Sequence, residues 1–211
     1  MEDNFFGMIS LGSRLKGVPT VRVSIFAIAA VIAFFAADTS VWTLLCISAA
    51  VLHEAAHIAA VKLCREKIES VNIYPFGAEI NIKGGISTYA NDLAVSSAGV
   101  IANSAVFLTF FSVDNLYCKF FAAANIVLAA VNLIPVKGLD GGRIAESLLY
   151  MFLEYELASR IYIWLTYASM GLLAAVSAAA VILCDYNVSA AFVCAYMLIA
   201  VYVKDKCRLE S

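Results

Sequence analysis

Apolar positions in this chain run on almost without interruption, parted only by short polar turns or basic segments. Such stretches cover residues 21–37, 41–63, 93–113, 117–135, 161–184 and 188–203. Runs of about 20 residues are what an α-helix needs to cross hydrocarbon about 30 Å thick. The pattern predicts six transmembrane helices. One segment departs from it: between 66 and 88, Val71, Ile73, Ile80 and Ile82 alternate with polar or small residues around Tyr74-Pro75-Phe76-Gly77. That alternation predicts a β-hairpin after the second helix, too polar and too short to span. After Pro135, the segment Val136-Lys137-Gly138-Leu139-Asp140-Gly141-Gly142 cannot continue a regular helix, and the amphipathic stretch to Arg160 belongs at the membrane interface. The expected fold class is an all-α polytopic membrane protein with a membrane-associated β-hairpin. Residues 1–211 form one membrane domain, with no soluble regulatory domain expected.

Composition agrees with the pattern. Hydrophobic residues make up 63% of the 211 positions and charged residues 14%, which excludes an ordinary soluble domain. A net charge of -2 leaves no basic surface for nucleic acid. The cysteines, at 46, 64, 118, 184, 194 and 207, form no C-x-x-C pair and read as small apolar fillers. Arg14 and Lys16 before an apolar run ending near Ala36-Ala37 imitate a signal peptide, but the run is long for one and is read as a helix. Lys and Arg at 14, 16, 22, 62, 65, 67, 83, 137, 143, 160, 204, 206 and 208 lie on one side of this topology, with Lys119 the exception. The turns at 38–40, 114–116 and 185–187 carry Asp38, Asp114 and Asp185 instead. The positive-inside rule therefore puts both termini in the cytoplasm.

Chemistry concentrates in the second apolar run, at His53-Glu54-Ala55-Ala56-His57. Residues four apart share one helix face, so both imidazoles can reach one ion while Glu54 sits beside it as acid and base. This is the donor spacing of a catalytic zinc site, in which a coordination position stays open to water. Chance is a poor explanation, because random placement of this chain's two histidines and nine glutamates yields the pattern roughly a few times in ten thousand. The second helix runs inward, and its motif lies roughly 12 Å from the cytoplasmic end at about 1.5 Å per residue.

Zinc needs a further protein ligand, and no third histidine exists. Asp140 follows the break that ends the fourth helix, which also runs inward, so the topology brings it to the side and depth of His53 and His57. Gly141-Gly142 would let backbone approach closely there. Asp140 is thus the candidate third ligand, the other reading being an ordinary turn aspartate at the membrane surface.

The motif at 53–57, followed by Asn132-Leu133-Ile134-Pro135-Val136-Lys137-Gly138-Leu139-Asp140-Gly141, resembles the two signature motifs of the site-2 protease family of intramembrane zinc proteases. Pro75-Phe76-Gly77, Ala98-Gly99 with Asn103, and the six spans resemble more narrowly its sporulation stage IV protein FB subgroup. The resemblance implies one Zn2+ per chain held by His53, His57 and Asp140, with Glu54 as the acid and base and Asn132 positioning substrate or the oxyanion. It implies cleavage of a membrane-associated protein, a sporulation sigma-factor precursor, with membrane inhibitor or regulator proteins as further partners and the lipid bilayer as solvent. Phe76 and Gly77, in a hairpin whose strand edge can hold an extended peptide, are the expected substrate-binding positions. Val100 departs from the proline usual in the subgroup. Gly99 and Asn103, four apart, read as a close helix-packing pair. The competing readings are a zinc transporter and a catalytically inactive membrane scaffold.

Overall fold

The computed structural model describes residues 8–11, 20–37, 39–74, 77–86 and 88–183. The chain divides into two compact units, Met1–Val131 and Asn132–Ser211. The first contains β1 (Met8–Leu11), β2 (Thr20–Ser24), α1 (Ile25–Ala37), α2 (Val41–Leu63), β3 (Ile68–Tyr74), β4 (Gly77–Ile82), α3 (Tyr89–Phe110) and α4 (Leu116–Asn132), whose last residue opens the second unit. The second contains α5 (Asp140–Phe152) and α6 (Tyr155–Leu183).

β3 and β4 form an antiparallel pair in the segment where the hairpin is expected, with Tyr74 opposite Gly77. It is half of a larger sheet of order β1-β2-β3-β4, in which β2 runs parallel to β3 and antiparallel to β1. The fold is therefore helical with a four-stranded sheet, a correction to the all-α expectation. The cause lies in Thr20-Val21-Arg22-Val23-Ser24, a β-branched alternating run whose valines merge by hydropathy with the helix that follows. As a result α1 has only 13 residues, about 20 Å at the helical rise. Among the described residues, two helices are long and apolar enough to cross a membrane, α2 and α3. The expected sixth span, 188–203, lies outside the described residues.

Helices α2 and α3 carry their polarity inward. The buried positions of α2 are Thr43, Ala49, His53, His57, Ala60 and Val61, and those of α3 are Val95, Ser96, Gly99 and Asn103. Val51, Leu63, Ile101 and Leu108 face outward. A helix pair in water has the opposite arrangement; small and polar residues between helices with aliphatic residues outside is the solution for a lipid surround. α4 follows suit, burying Ala122, Asn125 and Ala129 while exposing Val127. It is tied to the start of α2 by Trp42, which stacks on Tyr117 and meets Phe120 edge-on, and to the end of α3 by Phe110 against Phe121.

Local chemistry sets the boundaries. Arg65 adopts a left-handed φ of 58° after α2, with Arg65 N–H donating to Lys62 O and Glu66 N–H to Val61 O. That is a Schellman ending on a residue other than glycine. Asn91 Nδ2 then donates to Glu66 Oε1 at 3.0 Å, fixing the end of α2 beside the start of α3. α3 begins four residues earlier than hydropathy suggests because Thr88 accepts from Asn91 N–H as its cap. The turn expected at Asp114-Asn115 is present, and Asn115 Oδ1 accepts from Tyr117 and Cys118 N–H to start α4. Ser40 occupies the cap position of α2 without a side-chain cap bond. Ile68, Ile80 and Ile82 of the sheet pack on Ala60, Val61 and Val95 at the neighbouring ends of α2 and α3.

Candidate metal centre

The histidines of α2 are brought together as their spacing requires. His53 and His57 are 4% and 7% exposed, and their Nε2 atoms lie 3.2 Å apart with the rings at 82°. His57 Nδ1 lies 2.7 Å from the carbonyl oxygen of Val95. A carbonyl only accepts, so Nδ1 carries the proton and Nε2 presents its lone pair toward His53. Val95 thereby fixes both ring orientation and tautomer, as outer partners of ligating histidines do.

The donor set fits a zinc ion. Tetrahedral coordination with Zn–N of about 2.0–2.1 Å separates two ligand nitrogens by about 3.3 Å, and the observed separation is 3.2 Å.

Gly99 of α3 makes this geometry possible. A Cβ there would lie 2.5 Å from His53 Cε1, 2.5 Å from His57 Nε2 and 2.7 Å from His53 Nε2. No side chain fits, so the α3 backbone forms one wall of the imidazole pair. The close packing expected of Gly99 is therefore packing against the histidines themselves. Glu54 follows His53 on α2 and is half-buried. Gly77 opens β4, and Phe76 lies outside the described residues.

In the second unit, Asn132 ends α4 and Asp140 is the first residue of α5, half-buried. An acid in the first turn of a helix is favoured by the unsatisfied N–H groups there. The segment between them turns tightly: Val136 N–H donates to Ile134 O, Leu139 N–H donates to Val136 O, and Gly138 has φ 107°. Gly141 and Gly142 let α5 lie directly on this turn. A Cβ at Gly141 would meet the Leu133 and Ile134 carbonyls, and one at Gly142 the Val136 carbonyl. The close backbone approach expected at Gly141-Gly142 is present, and it locks the helix start that carries Asp140.

The sequence profile of peptidase family M50 matches residues 114–176, a segment containing Asn132 and Asp140 but not the histidine motif. The structure is similar to the site-2 protease from Methanocaldococcus jannaschii, with a TM-score of 0.63 over 92% of this chain and 94% of that chain, at 18% sequence identity. The chain has a site-2 protease fold. No curated protein matches the sequence.

Two features of the site were not readable beforehand. The Val95 contact uses a main-chain carbonyl, which any residue supplies. The role of Gly99 left a trace, a glycine in an apolar helix, but its partner did not.

Proposed function

We propose that this chain is an intramembrane zinc metalloprotease that hydrolyses a peptide bond in a membrane-associated protein. The observation that carries the reading is the convergence of two buried histidine nitrogens, one oriented by Val95, beside Glu54 in a site-2 protease fold. Asp140 is the third ligand, supported by its donor type, its position at a helix start and the glycines that hold that start. His53, His57 and Asp140 would hold a zinc ion, which would supply Lewis acidity toward water and the scissile carbonyl.

The chain's own groups do the rest. The Glu54 carboxylate takes a proton from the attacking water and returns it to the leaving amine. Asn132 donates from its carboxamide to the oxyanion as negative charge develops. A helical substrate hides its carbonyls in hydrogen bonds, so it must be extended before attack. β4 is the terminal strand in the sheet order and its hairpin packs beside Val95, so strand addition there aligns an extended peptide near His57. Phe76 and Gly77 are the positions proposed to contact that peptide. The substrate proposed is a sporulation sigma-factor precursor cut on the cytoplasmic side of a multi-pass protein with both termini cytoplasmic, restrained by membrane inhibitor proteins.

The test is cleavage of a panel of membrane-anchored reporters, including sigma-factor precursors, by purified protein before and after chelation and zinc return. Loss on chelation and recovery with zinc is expected. Zinc flux across proteoliposomes without cleavage would favour transport, and tight zinc binding with neither flux nor cleavage an inactive scaffold.

A further inference from the structure

The stripe of α3 that faces the histidines does not end at Gly99. One helical turn further along lies Asn103, which is fully buried, and neither its Oδ1 nor its Nδ2 has a hydrogen-bond partner among the described residues. Burying a carboxamide with both ends unmet costs a few kcal/mol on general grounds, so the position calls for a ligand or a function.

Its place suggests which. α2 and α3 run antiparallel, since Val95 meets His57 and Gly99 meets both rings. Moving on to Asn103 therefore passes His53 on the side away from His57. On that side α2 offers Ala49, buried and small, one turn before His53. Nδ1 of His53 is itself buried. Of the two rings, His57 has its outer nitrogen bonded to a main-chain acceptor, and a ligating histidine is generally held this way.

We propose that Asn103 is a positioning residue for His53, acting through one buried water that accepts from His53 Nδ1–H. The water donates to Asn103 Oδ1 and accepts from Asn103 Nδ2–H, giving it the three hydrogen bonds a buried water typically makes. This leaves His53 Nε2 as the lone-pair nitrogen, matching His57, so that both rings enter the metal site as neutral acceptors. Asn103 touches neither substrate nor metal.

The inference rests on the metal-site reading, and its test separates the two. Zinc affinity is measured in detergent by chelator competition for the wild type, Asn103→Leu and Asn103→Asp. The ring N–H resonances of the zinc-loaded proteins are recorded after 15N-histidine labelling, which is simple in a chain with two histidines. Asn103→Leu is expected to weaken zinc binding about 10–100-fold, the usual effect of losing such a partner, and to move one of the two ring resonances. Its thermal midpoint is recorded without zinc, so that a loss of folding is told apart from a loss of zinc affinity. Asn103→Asp, which keeps an acceptor, restores affinity. Wild-type zinc affinity in Asn103→Leu with both resonances unmoved would overturn the inference while leaving the metal site intact. A wild type that takes up no zinc would overturn the metal site and the inference together. Should Asn103→Leu not fold, the resonance in Asn103→Asp decides: a carboxylate acceptor shifts it downfield, and an unshifted signal refutes the role.

Discussion

Replacing Gly99 with alanine adds one carbon atom and places it 2.5 Å from both His53 Cε1 and His57 Nε2. Ordinary contact needs about 3.5 Å, so about 1 Å must be found. Two routes exist, and each damages the site. If the rings turn away, the 3.2 Å convergence of their nitrogens is lost. If α3 backs off instead, the 2.7 Å bond from His57 Nδ1 to Val95 O stretches beyond hydrogen-bond range. Overpacking of this size costs about 1–3 kcal/mol, and the lost bond about 1 kcal/mol more. At about 1.4 kcal/mol per factor of ten, zinc affinity should fall about a hundredfold. Catalysis should fall at least as far, since a misplacement of about 1 Å commonly costs about a hundredfold in rate. Chelator competition gives the affinity and reporter cleavage the rate, with Gly171→Ala as control because a Cβ there meets nothing within 4 Å among the described residues. Zinc affinity in Gly99→Ala within about threefold of wild type, a difference of about 0.6 kcal/mol, would refute the claim that α3 backbone shapes the imidazole pair.

Other expectations follow from the same geometry. Asp140→Ala should lower zinc affinity by more than the roughly 10–100-fold that loss of an outer partner costs, measured by the same competition. Gly141→Ala meets main-chain carbonyls that cannot give way, so a loss of about 3 kcal/mol is expected in detergent unfolding, with cleavage reduced through Asp140. Arg65→Gly removes a left-handed strain at the end of α2 and should stabilise the protein by up to about 1 kcal/mol with zinc affinity unchanged, as thermal unfolding will report.

Much of the site was legible because histidine spacing and helix periodicity are properties of sequence. The four-residue separation of His53 and His57 led directly to two nitrogens converging on one face of α2. Gly141-Gly142 after a helix break likewise pointed to close backbone approach. What stayed hidden depends on packing between elements distant in the chain. Thr20–Ser24 pairs with Thr20 opposite Ser70, and nothing local distinguishes its valines from the apolar helix behind them. Glu156 and Arg160 made hydropathy begin the fifth run at 161, yet the helix already starts at Tyr155, after the break at Leu153-Glu154. Asn103 was readable as a small polar residue between helices, but its unmet carboxamide appears only once its surroundings are fixed.

Glu54 is proposed to perform proton transfer beside a zinc ion it does not need to bind. The most direct measurement is cleavage of a membrane-anchored substrate by the wild type and by Glu54→Gln, with zinc content determined on both. The proton-transfer role predicts equal zinc in the two proteins and cleavage only by the wild type. Cleavage retained in Glu54→Gln at equal zinc content would contradict it.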